Sequence, residues 1–149
     1  MTRLHIANAG DARVVLCHDG RPLRLSHDHR TDCSLEVQRI EKSGGMVFKN
    51  RVVGILAVSR SLGDHGLKEF VIGTPYIDTF ETCHTIRKTS PDTDFVIVAC
   101  DGLWDVMSDK EAVDLVQKVS VKETAAQVLV DEAVRRKSAD NITAIVNWI

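Results

Sequence analysis

The sequence contains few cysteines, and none of them is paired in a metal-binding pattern. Four cysteines are scattered along the 149 residues, at Cys17, Cys33, Cys83 and Cys100, with no Cys-x-x-Cys pair. Zinc sites usually show paired spacing, and disulfide scaffolds contain cysteine at higher density. The pattern therefore argues against both and indicates free, buried or half-buried thiols in a reducing compartment.

Long apolar runs and a strong net charge are also missing. No stretch approaches the ~20 apolar residues that a membrane helix needs, and no charged-then-apolar leader is recognisable. Nineteen basic against twenty-one acidic side chains leave a net charge of -2, which gives no electrostatic attraction to nucleic acid or to an anionic membrane. We therefore predict a soluble, intracellular protein of the cytoplasm or nucleus that binds neither.

The apolar content of 44% is sufficient for one globular domain over residues 1–149. A hairpin is predicted around Asp19-Gly20, a dipeptide suited to a tight turn. A helix is predicted to follow a cap at Thr31 or Asp32 and to end at Gly44-Gly45. Residues 46–56 then predict short strands around a polar turn at Lys49-Asn50.

The second half of the chain predicts a buried strand followed by paired helices. Residues 95–100 are continuously apolar, as in a strand that is buried on both faces. Two capping-box patterns, Ser108 to Glu111 and Ser120 to Glu123, each predict the start of a helix, and residues 142–149 predict a final strand. Strands followed by paired helices, without regular β-α alternation, favour an α+β fold.

Three acidic residues are candidate metal ligands. Asp101 follows the apolar strand, Gly102 permits a sharp turn, and Asp105 would share one side of any helical turn with Asp101. Asp140 precedes the final strand. Hard cations such as Mg²⁺ and Mn²⁺ prefer carboxylate oxygens, often from separate segments. An ordinary strand-ending turn is the better explanation of each acid when it is taken alone.

Two other patterns suggest chemistry that the sequence does not support. Cys33 and Arg39 have the Cys-x5-Arg spacing of cysteine-dependent phosphatases, but the segment has no glycine to build a phosphate-cradling loop, carries Glu36 and fits a helix. His27 and His29 are too close together to share one metal ion easily, so a solvated or hydrogen-bonded loop is predicted there.

In their order along the chain, several motifs resemble the type 2C family of metal-dependent protein phosphatases. The segments that carry the resemblance are Asn8-Ala9-Gly10-Asp11-Ala12-Arg13, Asp28-His29, Leu56-Ala57-Val58-Ser59-Arg60-Ser61-Leu62-Gly63-Asp64, Ala99-Cys100-Asp101-Gly102-Leu103-Trp104-Asp105 and Asp140-Asn141-Ile142-Thr143. Ala12 replaces the serine that is usual in the first of them. Together these motifs span essentially the whole chain.

The resemblance implies part of an αββα sandwich that hydrolyses phosphoserine and phosphothreonine in proteins. Water bridging two Mn²⁺ or Mg²⁺ ions would be the nucleophile. Asp101 and Asp140 match ligands of one core metal, and Asp105 matches a ligand of a weaker third metal. Residues 63–74 would lie in a flap near the substrate cleft, whereas Gly10-Asp11 and residues 59–64 would support the structure.

The family's N-terminal portion, with an acidic metal ligand, an Asp-Gly-His-Gly segment and a phosphate-binding arginine, has no counterpart in this sequence. We therefore expect the chain to be the C-terminal part of a phosphatase domain that is monomeric when complete. On its own it is expected to be inactive or nearly so, and prone to aggregate through uncovered strands. The alternative hypothesis is a non-catalytic binding fragment or pseudophosphatase.

Overall fold

The computed structural model describes residues 2–82 and 94–149, and Cys83 lies outside this part of the chain. The strands are β1 (Thr2–Asn8), β2 (Arg13–His18), β3 (Arg21–Arg24), β4 (Val47–Phe48), β5 (Arg51–Val52), β6 (Tyr76–Thr82), β7 (Phe95–Ala99) and β8 (Ala144–Trp148). The helices are α1 (Ser34–Lys42), α2 (Asp101–Trp104), α3 (Asp109–Val116) and α4 (Ala125–Arg135), with 3₁₀ turns at His65–Leu67 and Lys122–Thr124. The mixed content confirms the predicted α+β class. Among these helices, none has the length and apolar character that crossing a bilayer requires.

The chain divides into two compact units. The first comprises Met1–Ile6, Ala12–Ser26 and Asp78–Ile149, and the second comprises Ala7–Asp11 and His27–Ile77. Each unit has its own apolar core.

The first unit is layered around an antiparallel sheet with the strand order β3-β2-β7-β8. Side chains alternate across a strand, so each strand of this sheet contributes apolar side chains to both faces. Val15 and Ile97 pack on one face against α3 and α4, whereas Leu16 and Val96 pack on the other against β1 and β6. Helix, sheet and second sheet therefore form successive layers. The strand predicted to be buried on both faces is β7, which lies between β2 and β8. Four of its five residues are buried, but Val98 is exposed.

The second unit is smaller and largely irregular. Its core is formed by Ile40 of α1, Val52 of β5 and Val71. The predicted polar turn between β4 and β5 is confirmed, since Lys49 and Asn50 both have positive φ angles, 50° and 56°. Residues 63–74 are irregular apart from one 3₁₀ turn, as the sequence predicts.

Local sequence signals were correct at some helix ends and wrong at others. The box at Ser108 and Glu111 forms in both directions and begins α3. The second box does not form, because a 3₁₀ turn intervenes and Thr124 precedes α4 without a side-chain cap. The cap predicted at Thr31 or Asp32 is also wrong. Cys33 occupies that position of α1, and its side chain caps nothing.

Candidate functional site

Asp101 lies where β7 ends and a single helical turn begins. Cys100 is the N-cap residue of α2, and the backbone N–H of Asp105 donates to the Asp101 carbonyl oxygen at 2.8 Å. This i to i+4 hydrogen bond is the helical turn that the sequence predicted between the two acids. The Asp101 side chain is half-buried and that of Asp105 is exposed. The strand end therefore presents one partly shielded and one open carboxylate.

The segment that carries Asp140 is held directly against this turn. The Cys100 N–H donates to Thr143 O at 3.2 Å, and the Cys100 thiol donates to Asn141 O at 3.1 Å. The Ser138 hydroxyl donates to Gly102 O at 2.6 Å. These bonds follow from the neighbouring positions of β7 and β8 in the sheet. The structure thus brings the Asp101 and Asp140 segments together, and a metal ion shared by the two acids stays a prediction.

The donor chemistry of these acids suits a hard cation, although the donor set is incomplete. Asp101 Oδ1 accepts from the Gly102 N–H at 2.9 Å, and Asp140 Oδ1 accepts from the Asn141 N–H at 2.7 Å. Both bonds fix the carboxylates relative to the backbone. Within residues 2–82 and 94–149, the three acids do not form a set of three ligand atoms within 4.8 Å of one another. They would therefore supply only part of a coordination shell of six or more oxygens.

A different cluster in the described residues does meet that distance, and no motif in the sequence points to it. It consists of His18, Asp19 and Asp94, beside the β2–β3 turn. His18 Nδ1 lies 2.9 Å from Asp94 Oδ2, and His18 Nε2 lies 3.9 Å from Asp19 Oδ2. The two carboxylates therefore face opposite ring nitrogens, and the Asp19 N–H also donates to Asp94 at 3.2 Å. The hydrogen bonds of Asp94 to His18 and Asp19 stabilise the turn between β2 and β3.

The most buried carboxylate of the second unit is Glu36, whose only predicted significance is that it opposes phosphate binding. It accepts hydrogen bonds from Ser59 Oγ at 2.7 Å, Arg60 Nη2 at 2.6 Å and Arg39 Nη2 at 3.1 Å. Burial alone would raise the pKa of Glu36, but the hydrogen bonds from Arg60, Ser59 and Arg39 outweigh it and lower the pKa to about 2. The Cys-x5-Arg segment is thus a helix whose Arg39 binds Glu36, and its rejection as a phosphate loop is confirmed.

The two histidines of the His27-Asp28-His29 segment have different environments. His29 is fully buried, and its Nδ1 lies 3.1 Å from the Gly10 carbonyl oxygen. Its Nε2 is buried without a hydrogen-bond partner. His27 is exposed, and its Nε2 lies 3.6 Å from Cys33 Sγ. The predicted hydrogen-bonded loop is present, but His29 is a core residue of its unit and not a solvated one.

His29 is expected to make stability depend on pH near neutrality. Burial and, to a smaller extent, the positive charge of Arg60 lower the pKa of its imidazole, despite the Gly10 bond and Glu36. Because the folded state favours neutral His29, stability is complete above the unfolded pKa of about 6.5. It falls as the pH drops through that value toward the lower folded pKa. We expect the urea midpoint to decrease between pH 7.5 and 5.5, with a smaller decrease in His29→Asn.

The matched control for that measurement is His65→Asn, because His65 is exposed in the same unit. It should retain the full pH dependence of the unaltered chain. An unchanged slope in His29→Asn would contradict the assignment of this titration to His29.

Comparison with known proteins places this arrangement in a family. The model of the family described as "Protein phosphatase 2C" matches residues 1–142. The chain is 50% identical over 143 residues to Protein phosphatase 2C homolog 1 of Schizosaccharomyces pombe, covering 96% of the chain and 40% of that protein. It is 43% identical over 147 residues to Protein phosphatase 2C homolog 1 of Saccharomyces cerevisiae, covering 99% of the chain and 50% of that protein.

A solved structure has the same fold. The crystal structure of serine-threonine phosphatase 2C from Toxoplasma gondii superposes with a TM-score of 0.78 at 26% identity, over 98% of this chain and 54% of that one. The chain thus spans about half the length of the relatives that it matches, or less. Members of the matched family are protein phosphatases. The chain belongs to the protein phosphatase 2C family.

Proposed function

We propose that residues 1–149 are the C-terminal portion of a single protein phosphatase 2C catalytic domain. The parent activity would be metal-dependent hydrolysis of phosphoserine and phosphothreonine in protein substrates. One observation carries this proposal: the Asp101 and Asp140 segments are tied together by the Cys100 and Ser138 hydrogen bonds. Family membership supports the reaction class, and this juxtaposition supports a shared cation at Asp101 and Asp140.

The residues have distinct roles in this proposal. Asp101 and Asp140 would each give a carboxylate oxygen to one core Mn²⁺ or Mg²⁺ ion, and Asp105 would give one to a weaker third ion. Such ions, when bound, activate water and neutralise charge on the phosphoryl group. The protein contributes the fixed geometry. Gly102 and Asn141 N–H groups hold the two principal carboxylates, and the β7–β8 pairing holds the segments.

The 149-residue chain alone is expected to be inactive or nearly so. Its three acids give too few donors for a complete shell, and their mutual repulsion is only partly compensated. Titration of Mn²⁺ into the purified chain should therefore reveal weak binding. The same observation favours the second candidate function, a non-catalytic binding fragment.

A chimera separates the two functions. We would fuse this chain behind the part of the S. pombe relative that precedes its matching segment, and assay a phosphothreonine peptide with Mn²⁺. The phosphatase proposal expects turnover that a chelator abolishes and that falls more than about a hundredfold in Asp101→Asn and Asp140→Asn. The estimate is conservative, because loss of even the outer partners of metal ligands costs 10–100-fold.

The matched control is Asp131→Asn. Asp131 is an exposed carboxylate of α4, in the same unit, and it accepts a hydrogen bond from Gln127 at 2.8 Å. This variant should keep the activity of the chimera. A folded chimera that hydrolyses nothing would leave the non-catalytic binding fragment as the better description.

A further inference from the structure

The hairpin formed by β4 and β5 is apolar on both of its faces. Val47 and Val52 point inward and pack with the core of the second unit. The outward side carries four large apolar side chains that are well exposed: Met46 at 57%, Phe48 at 55%, Val53 at 37% and Ile55 at 57%. We call these four residues the hairpin patch. A hairpin with one face on a core normally has a polar outer face, so the patch requires an explanation.

The hairpin patch is held on a fixed backbone. The Val53 N–H donates to Met46 O at 2.8 Å. A Cβ placed on Gly54 would lie 3.9 Å from Phe48 Cδ1, so the aromatic ring lies beside the turn that follows Val53. Arg51 Nη1 donates to Ile55 O at 2.6 Å. These contacts fix the backbone of Met46, Val53 and Ile55 and place Phe48 beside the turn.

One member of the patch has a strained backbone. Val53 has a φ angle of 51°, a region in which a β-branched residue is an outlier. Glycine or asparagine would adopt this conformation at lower cost. The Val53 side chain is not part of the core cluster of its unit. A strained position that displays an apolar group to solvent points to a use outside the unit.

The charged side chains of the segment that forms the patch are all positive. Between Lys42 and Gly63 the sequence contains no aspartate or glutamate. Lys49 Nζ lies 5.4 Å from the centre of the Phe48 ring, and Arg51 is exposed beside Ile55. Arg60, the remaining basic residue of the segment, is bound to Glu36. The free charge next to the patch is therefore cationic, and it is interleaved with the apolar groups.

From this arrangement we propose that the hairpin patch docks an extended peptide of a partner protein, in which apolar side chains and aspartate or glutamate lie on the same side. Side chains of an extended peptide share one side at every second residue, so an apolar residue and an acid two positions apart would meet the patch and Lys49 or Arg51 together. Arg51 lies opposite Phe48 across the hairpin, on the same face as the patch. Anionic membranes usually recruit clusters of four to eight basic residues, more than this segment offers. A second copy of the chain would bring like charges together.

The probe is a short fluorescent peptide in which phenylalanine, glutamate and leucine occupy every second position with serine between them, titrated with the full 149-residue chain at low salt. We expect saturable binding that weakens with added salt. Phe48→Ser and Ile55→Ser should each raise the Kd about tenfold or more, as for apolar anchors of an interface. Lys49→Glu should weaken the binding of this peptide and strengthen the binding of a version with lysine in place of glutamate.

Leu35→Ser is the matched control, because Leu35 is 71% exposed on α1 of the same unit and outside the patch. It should bind like the unaltered chain. Circular dichroism and thermal unfolding would establish that every variant remains folded, which is expected for exposed positions. Any one of four results would overturn the proposal. These are no binding of the peptide, an equal loss of affinity in Leu35→Ser, binding to anionic vesicles in place of the peptide, and dimerisation that depends on the patch.

Discussion

Replacing Gly102 with alanine is expected to destabilise the first unit by about 2–3 kcal/mol, the upper part of the range for overpacking. A Cβ at this position would lie 3.0 Å from the Asn141 carbonyl carbon and still closer to its oxygen. The obstructing atoms belong to the backbone, so no change of rotamer can relieve the clash. Urea unfolding of the chain measures the loss. In the chimeric phosphatase the same change should also reduce metal-dependent turnover, because it separates Asp101 from Asp140.

A glycine without close neighbours provides the control for this substitution. An added Cβ on Gly66 has nothing within 4 Å, so Gly66→Ala should change stability by no more than about 0.5 kcal/mol. Equal urea midpoints for Gly102→Ala and the unaltered chain would show that the Asn141 segment can move away from the added methyl group without loss of stability. The two carboxylate segments would then not be rigidly placed.

The sequence predicted those parts of the fold that short-range chemistry determines. Asp19-Gly20 gave the β2–β3 hairpin because both residues adopt positive φ, at 48° and 75°. The Ser108 box gave the start of α3 because its two hydrogen bonds connect residues three apart. The continuous apolar run gave β7, a central strand in which every residue except Val98 is buried. The order of motifs along the chain identified the family.

Interactions between distant segments were not predictable in this way. Glu36 binds Ser59 and Arg60, more than twenty residues away, and a local pattern does not indicate such partners. His29 is buried through contact with Gly10, which one sequence cannot reveal. For the candidate site, residue types pointed to Asp101 and Asp140. Only the structure provided the Cys100 and Ser138 bonds that connect their segments.

Loss of the Glu36 carboxylate is expected to have the second large effect. Glu36 is buried, and the side chains of Arg39 and Arg60 are also only 23% and 20% exposed. Glu36→Ala would leave two largely buried guanidinium groups without their shared anion. Removing one partner of a buried ion pair typically costs 3–5 kcal/mol. Because both arginines keep carbonyl partners at Phe70, Ser59 and Thr74, we expect about 3 kcal/mol, measured by urea unfolding at pH 7.

Glu41→Ala on the same helix is the control, since Glu41 is exposed, and it should change stability by less than about 0.5 kcal/mol. The pH dependence distinguishes the charge of Glu36 from its packing. A carboxyl whose pKa falls from 4.5 to about 2 on folding stabilises the folded state fully above the unfolded value. That contribution is lost as the pH falls through 4.5 toward 2. The difference between Glu36→Ala and the unaltered chain should therefore be smaller at pH 4 than at pH 7.

Glu36→Gln retains the shape of the side chain and tests the charge directly. The amide still accepts from Ser59 Oγ or one arginine, but it cannot neutralise two guanidinium groups. Its stability deficit should therefore lie between those of Glu41→Ala and Glu36→Ala, and it should also shrink at low pH. If Glu36→Gln were as stable as the unaltered chain at pH 7, the charge of Glu36 would not be what holds α1 to the segment around Ser59 and Arg60. The packing of that side chain would then account for the loss in Glu36→Ala.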